Sequence, residues 1–599
     1  MGVDQGNSAL VLAGQSQYFL NWTDPGNYNI VRQIKTGCLE GTSVLDSTKG
    51  GSQMTVFRKT IGQMFDDIAG KHAQRDALVH AECDVRYTYE LLSQEIDRVA
   101  RGFICRGIAR GDKVAIWSPN TSQWLIAWLG LAKIGAITVP VDPDASRDNL
   151  LYILGQSECC GLIVAGDTDD QKMVAMAGQI RNALPALSHL FVIGDSTDAN
   201  TISWQALASG ADAISPNTLA ETAAAVQPQD PVAIMYTSGT TGQPKGVVLD
   251  HPGLINKSIV ATERQGITAT DKLCLFFPLF HMFGNTCIAL AGFLRGAALI
   301  MPGRTFEPVK ILKAIPAEQC TAIYGSPSML IALVDHPQFR KNDWASVTKG
   351  IIGGAPCPIE LMRRIVEDIG VSDITVAYGI TETSSWITMT HPTDTIELRV
   401  STIGTALPCN EVKIVDPATG ARLDPGHQGE LCTRGFLMKE YYMMPGATAA
   451  AVDRKKWFHT GDLGVMDQQG YVKITGRVKD VIVRRGVEIY PVEIEEVLYL
   501  LAEISEVQVF GFNLPGSENG QEVAAWIKLK EGTQLSLETV AAHVQVQLPA
   551  EKIPQHYKFV SEFPMTGSGK VQKYKMTELA EKEYHEVGSG NAEGGKMKV

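Results

Sequence analysis

No uninterrupted apolar run in this chain is long enough to span a bilayer, so no transmembrane helix is expected. The first residues lack a basic segment followed by an apolar core, which argues against a secretory leader. The 11 cysteines are an odd number and include no Cys-x-x-Cys pair; only Cys159 and Cys160 are adjacent. Such usage fits reduced, mostly buried thiols in a cytoplasmic protein and excludes a disulfide framework. Positive charge is also in deficit: 53 Lys and Arg against 65 Asp and Glu leave a formal net charge of -12. A general nucleic-acid or anionic-membrane binder is thereby disfavoured, and any anionic ligand must be held by a local group of donors.

What is present is ample core material. Apolar residues make up 45% of the 599 and charged residues 20%, ordinary globular usage in a chain too long for one compact core. Residues 1–55 are rich in Gly, Ser, Thr, Asn and Gln with little periodicity and read as an extension of unknown role. From Phe57 onward short β-branched runs alternate with amphipathic stretches, the pattern of an α/β domain with largely parallel strands. This large domain is expected over 56–476, followed by a small α+β domain over 477–585 and a polar tail over 586–599.

The strongest local signal is Thr237-Ser238-Gly239-Thr240-Thr241-Gly242-Gln243-Pro244-Lys245-Gly246, placed directly after the strand-like Val232–Tyr236. Three glycines and five Thr, Ser or Lys side chains make a loop dense in NH, OH and ammonium donors, as polyphosphate recognition requires. It is not a Walker loop, because no Gly-x-x-x-x-Gly-Lys-Ser/Thr spacing is met. Tyr378-Gly379-Ile380-Thr381-Glu382-Thr383 puts an aromatic, a hydroxyl and a carboxylate at the carboxyl end of a predicted strand, where α/β sheets bind ligands. Gly353-Gly354-Ala355-Pro356 likewise ends a predicted strand with small residues that let a flat ring approach the backbone. Thr460-Gly461-Asp462 offers a carboxylate and Gly476-Arg477 a cation. Pro564-Met565-Thr566-Gly567-Ser568-Gly569-Lys570 presents a lysine on a glycine-rich turn, suited to stabilising developing charge.

Together, and in this order over residues 57 to 575, these segments resemble the signature motifs of the superfamily of acyl-CoA synthetases, peptide-synthetase adenylation domains and luciferases. The resemblance implies that Thr237, Ser238, Gly239, Thr240, Thr241, Gly242 and Lys245 hold ATP phosphates, and that Gly353, Gly354, Ala355 and Pro356 line the adenine edge. By the same resemblance Tyr378 packs on adenine, Gly379 beside it belongs to the nucleotide site, Thr381 meets the α-phosphate, Glu382 holds Mg²⁺, and Asp462 and Arg477 take the ribose. Thr237, Glu382 and Lys570 are the implied catalytic residues. Lys479, within Gly476–Glu495, falls at the family's hinge position, and Arg484, Arg485 and Gly486 follow as candidates for coenzyme A. Two departures occur there: Arg485 stands where Gly is common, and Glu488 replaces a frequent Asn. An added cation for coenzyme A phosphates and a plain solvated charge both remain open readings of Arg485.

Only 29 residues follow Lys570, which leaves no room for a carrier domain and favours a standalone thiol ligase. The compact Asp462–Gly476 lacks the insertion of the family's coenzyme A-free acyl-AMP ligases, and Phe280-His281 lacks the double histidine expected of a luciferase. The implied reaction activates a carboxylic acid with ATP and passes it to coenzyme A. Loading of another acceptor, or a non-catalytic nucleotide sensor, are the alternatives. His281, Phe283, Gly325, Ser326 and Trp386 are the expected acid pocket; its apolar walls favour a medium-chain, alicyclic or aromatic monocarboxylic acid. A homodimer is compatible with the sequence.

Overall fold

A computed structural model describes the chain except for residues 1–10, 14–15, 25–26, 37–38, 46–52, 167–171, 196–197, 238–242, 515–519, 566–570, 589–596 and 599. It divides into two compact units. One comprises Met1–Val400, Ala406–Glu411 and Arg434–Ala450, the other Ser401–Thr405, Val412–Thr433 and Ala451–Val599.

Two sheets organise the first unit. In one, the strands Ile202–Ser203, His189–Ile193, Gly161–Ala165, Lys113–Trp117, Ile137–Val141 and Pro231–Thr237 lie side by side in parallel. Lys245–Asp250 and Glu440–Tyr441 extend it antiparallel. In the other, Asp373–Ile380, Lys349–Gly353, Ala322–Gly325, Lys272–Cys274, Ala298–Met301 and Asp76–His80 run parallel. Antiparallel Ser385–Met389 lies at the Asp373–Ile380 side and Val85–Thr88 at the far side. Parallel strands need helical crossovers that bury both faces, which is why these strands read as continuous apolar runs. The helix Ser122–Ile134 shows the same logic: apolar all round, it buries every residue except Gln123. Thr121 starts that helix by accepting from Trp124 N at 3.0 Å, a cap worth about 1 kcal/mol.

The strands Val11–Ala13, Ser16–Asp24, Asn27–Thr36, Leu39–Leu45 and Gln53–Val56 form a five-stranded antiparallel meander. The sequence reading of residues 1–55, an extension with little periodicity, assigned no strands there. Aromatic and β-branched residues from Tyr18 to Trp22 and from Ile30 to Ile34 suit a pleated strand despite the polar composition around them.

The second unit carries the antiparallel sheet Glu411–Val415, Gln428–Arg434, Phe458–Met466, Val472–Arg477. Its last strand thus contains the position near 476 where the sequence suggests a boundary. Beyond it lie the hairpin Ile482–Arg484 with Val487–Ile489, and an α+β layer in which Gln521–Leu529 pairs antiparallel with Ile504–Asn513 and parallel with His556–Phe559. The helices Pro491–Leu498 and Leu537–Gln547 cover one face of that layer through Ile494, Leu498, Val540 and Val544. Met576 and Ala580 of the helix Lys573–Gly588 pack with Phe510, Phe512 and Trp526.

Candidate active site

The donor-rich segment closes a hairpin. Pro231–Thr237 and Lys245–Asp250 pair antiparallel, and the last register pair is Thr237 with Lys245. The strand Val232–Met235 is buried, which fixes where the segment emerges. Gly246 allows the close crossing: a Cβ there would meet Ile234 Cγ2 at 2.8 Å and the Tyr236 ring at 3.1 Å. Tyr152 secures the exit by donating from its hydroxyl to Pro244 O at 3.0 Å. Ser238, Gly239, Thr240, Thr241 and Gly242 lie outside the described residues.

Lys245 Nζ stands 5.0 Å from the centre of the Tyr441 ring, within range of a cation–π attraction. The Tyr441 hydroxyl donates to Glu382 Oε1 at 2.8 Å, and Met438 N donates to Glu382 O at 2.7 Å. Burial, and then the neighbouring Glu382 charge, push the Tyr441 phenol well above its ordinary range, so it stays a donor. Glu382 sits in the single turn Thr381–Thr383 after the strand Asp373–Ile380. Thr383 pins that turn through its hydroxyl, donating to Ile380 O at 2.9 Å and to Ser385 O at 2.8 Å. Expected phosphate and metal ligands are thus joined through Tyr441, a residue the sequence reading did not single out. Its strand, Glu440–Tyr441, is two residues long and carries no periodicity to find it by.

Gly353 and Ala377 are register partners on adjacent parallel strands, which brings the end of Lys349–Gly353 beside Tyr378. Gly354, Ala355 and Pro356 are exposed. Gly353 itself faces two of the residues expected to form the acid pocket: a Cβ there would lie 3.1 Å from Trp386 Cη2 and 3.5 Å from Phe283 Cε1. Phe283 meets Trp386 edge-on at 5.0 Å and Phe277 at 4.5 Å between ring centres. His281 packs on Phe277 at 5.5 Å, and its Nδ1 accepts from Phe283 N at 3.1 Å, which puts the proton of the neutral ring on Nε2. Gly325 is buried against Leu330 and Phe276, and Ser326 caps the helix Pro327–Val334 by accepting from Met329 N. Of the expected pocket residues, His281, Phe283 and Trp386 therefore form one aromatic wall, with Gly353 added to it.

A buried cation lies behind that wall. Lys257, 1% exposed on the helix His251–Gln265, donates to Trp386 O at 3.1 Å and to Asn410 Oδ1. Asn410 Nδ2 in turn donates to Ile387 O at 2.9 Å. Burial pushes the Lys257 ammonium down to about 8 and the Cys409 thiol up to about 11. A separate cavity of about 590 Å³ includes Asp66, Asp97 and Lys133 but none of the expected site residues. There Lys133 is matched by Asp66 at 2.8 Å and Asp97 at 2.5 Å, a structural ion triad.

In the second unit Asp462 and Arg477 are register partners, and Arg477 Nε meets Asp462 Oδ1 at 2.7 Å. The two expected ribose ligands therefore already form a pair. Lys479 is exposed in the single turn Val478–Asp480. Arg484 is committed to its own domain, donating to Glu551 O at 3.3 Å and Ile553 O at 3.2 Å. Arg485 and Gly486 are the two central residues of the hairpin Arg484–Val487, with φ of 52° and 76°. Positive φ at both positions is the geometry of a type I′ turn, so Arg485 occupies a backbone conformation that glycine adopts without strain. Glu488 accepts from the Tyr490 hydroxyl at 2.8 Å. Lys570 and the Thr566–Gly569 residues before it lie outside the described residues; Met565 and Val571 on either side pair antiparallel.

The family model "AMP-binding enzyme" matches residues 65–442, and its "AMP-binding enzyme C-terminal domain" matches 493–570. The chain belongs to the AMP-binding enzyme family. Within that family it falls in the acyl-CoA synthetase branch of the adenylate-forming enzymes. It is similar to "Putative acyl-CoA synthetase YngI" of Bacillus subtilis (strain 168), 40% identical over 537 residues, which cover 87% of this chain and 97% of that protein. Human "Medium-chain acyl-CoA ligase ACSF2, mitochondrial" is 33% identical over 557 residues, 90% of each chain. Among solved structures, ATP-bound MatB from Rhodopseudomonas palustris superposes with a TM-score of 0.74 at 26% identity, over 87% of this chain and 99% of that one. These likenesses agree with the mixed α/β fold, a large domain followed by a small one. Among the described residues no helix is long and apolar enough to cross a membrane.

Proposed function

We propose that this ATP-dependent acid–CoA ligase acts in the cytoplasm on a medium-chain, alicyclic or aromatic monocarboxylic acid. The carboxylate oxygen attacks the α-phosphorus of ATP, pyrophosphate leaves, and the acyl-AMP formed is then attacked at its carbonyl by the thiol of coenzyme A, releasing AMP. The observation that carries this reading is the joining of Lys245 and Glu382 through Tyr441, with Thr237 the register partner of Lys245. Thr237 and Lys245 supply a hydroxyl and an ammonium to phosphate oxygens at the two ends of the donor-rich segment. Lys570 contributes a further ammonium against the charge that develops as the carboxylate attacks. Asp462 and Arg477 orient the ribose.

Glu382 suits a magnesium ion, because Tyr441 takes only Oε1 and leaves the second carboxylate oxygen for a hard cation shared with phosphates. Bound there, Mg²⁺ neutralises phosphate charge.

For the acid, the aromatic wall of His281, Phe283 and Trp386 offers apolar surface, and the ammonium behind it is already bonded to Trp386 O and Asn410. No described cation is thereby left over in that wall for a second substrate carboxylate. The name of the human relative, a medium-chain acyl-CoA ligase, points the same way. A panel of mono- and dicarboxylic acids, assayed for ATP–pyrophosphate exchange and for coenzyme A-dependent AMP release, tests the proposal. Preference for dicarboxylates, or exchange without acyl transfer to coenzyme A, overturns it.

A further inference from the structure

Three side chains that the reaction does not use meet on the sheet of the second unit. Glu430 and Cys432, two residues apart on Gln428–Arg434, face His459 on the neighbouring Phe458–Met466. Cys432 and His459 are register partners, whereas Glu430 pairs with Leu463, so the second strand bulges by two residues over Thr460–Asp462. That bulge tilts Glu430 back toward the histidine. His459 Nδ1 lies 2.7 Å from Glu430 Oε2 and 3.4 Å from Cys432 Sγ, and one ligand atom from each residue falls within 4.8 Å of the others.

A nucleophilic Cys-His-Glu relay does not fit this arrangement. A relay needs the thiol and the carboxylate on opposite ring nitrogens, and here both meet Nδ1. Burial, moreover, pushes the Cys432 thiol up to about 12, with Glu430 and Asp453 adding to the rise and Lys413 opposing it.

We propose that Glu430 Oε2, Cys432 Sγ and His459 Nδ1 form a three-ligand site for a divalent transition metal of the zinc type. One sulfur, one imidazole nitrogen and one carboxylate oxygen match the ligand preferences of zinc and not those of magnesium. Tetrahedral zinc with bonds of about 2.0–2.3 Å sets ligand atoms about 3.4–3.6 Å apart. The nitrogen–sulfur separation already fits; the Glu430 oxygen must withdraw from Nδ1 by about 0.7 Å and settle about 3.6 Å from Sγ, which it already lies within 4.8 Å of. Glu430 stays oriented as it does so, because its other oxygen accepts from Gly461 N at 3.0 Å. Cys432 is fully buried while the His459 side chain is 30% exposed, so a metal enters from the histidine side and water takes the fourth position. Binding releases the thiol proton to solvent. The charged groups that act on this thiol are Glu430, Lys413, whose Nζ lies 4.3 Å over the Trp457 ring, and Asp453, whose Oδ1 accepts from Lys455 N and Trp457 N.

The test uses the full chain, freed of metal with a chelator and titrated with Co²⁺ as a coloured probe, then with Zn²⁺. One equivalent of Co²⁺ should give a thiolate-to-cobalt charge-transfer band that Zn²⁺ abolishes. Cys432→Ser should remove the band, and His459→Gln should weaken Zn²⁺ binding at least about tenfold. Substituting the exposed Cys83 and Cys105 by Ser should leave the band intact. No band in the wild type, or a band persisting in Cys432→Ser, overturns the site. Thermal melts of each variant show whether it is folded, and His459→Gln, at a partly exposed position, carries the test by itself if Cys432→Ser is not.

Discussion

The Tyr441 hydroxyl donates to Glu382 Oε1 at 2.8 Å, and the face of the same ring lies under Lys245. One side chain thereby sets both a carboxylate and a cation that we propose serve the reaction. Tyr441→Phe keeps the ring and removes only the hydroxyl, so Lys245 should stay in place while Glu382 loses its orientation. Losing that orientation should lower kcat/KM for ATP about tenfold or more, and because a hydrogen bond to a charged group contributes about 1.5–3 kcal/mol to stability, Tm should fall as well. Pyrophosphate exchange at varied ATP and Mg²⁺ measures this. An unchanged kcat/KM would mean that Glu382 needs no such anchor.

Gly353 gives a prediction about the acid. A methyl there would press on Trp386 Cη2 at 3.1 Å and on Ala377 O at 3.3 Å, both within a packed wall. Overpacking of this kind costs about 1–3 kcal/mol. Gly353→Ala should therefore lower kcat/KM for aromatic or long acids about tenfold while sparing short ones. A uniform loss across the acid series would assign Gly353 to the adenine edge alone, as the sequence resemblance implied.

The reason Gly353 was legible only in part is general to this site. Motifs fixed by backbone need, such as the glycines after Pro231–Thr237 and the turn carrying Glu382, stand in contiguous sequence and could be read. Tyr441, Lys257 and Asn410 act across the fold: Asn410 reaches Trp386 from 24 residues away and Lys257 from 129. Nothing in the local pattern around them distinguishes a wall anchor from an ordinary core or surface residue. The parallel strands were legible because burial on both faces leaves apolar runs. The N-terminal meander was not, because its strands sit among polar residues.

Lys257 predicts a pH dependence. Its ammonium has been pushed from 10.5 down to about 8 by burial, so between these values the unfolded chain binds more protons than the folded one. Stability therefore increases with pH across this window, and below about 8 the folded state bears the full cost of a buried charge, about 3 kcal/mol at most. Lys257→Met removes that cost together with two hydrogen bonds. Its stability relative to wild type should be most favourable below pH 8 and decline toward pH 10.5. Denaturant melts of both proteins across that range check the slope; a pH-independent difference would show that burial does not depress the Lys257 ammonium.

Arg485 separates strain from recognition. At φ 52° it occupies the left-handed region, which costs a non-glycine residue about 1 kcal/mol. Arg485→Gly should hold or raise Tm through relief of that strain. If the guanidinium also meets coenzyme A phosphates, the same variant should raise KM for coenzyme A several-fold without affecting pyrophosphate exchange. An unchanged KM for coenzyme A would exclude that role for Arg485.

Lys570 and Lys479 should fail in opposite halves of the reaction. Removing one charge-stabilising donor costs on the order of 3 kcal/mol, so Lys570→Ala should depress adenylation by that amount and still convert supplied acyl-AMP to thioester. Lys479 is exposed in the turn Val478–Asp480, whose 3₁₀ backbone suits the fixed φ of proline. Lys479→Pro should therefore fold, but it denies the backbone rotation by which a hinge exchanges one reactive face of the small domain for another. Pyrophosphate exchange should persist while acyl transfer to coenzyme A falls. A wild-type rate of transfer from supplied acyl-AMP in Lys479→Pro would remove rotation at this residue from the mechanism. Loss of both activities with a lowered Tm would reflect misfolding, which is why the melt and the two half-reactions are measured on the same sample.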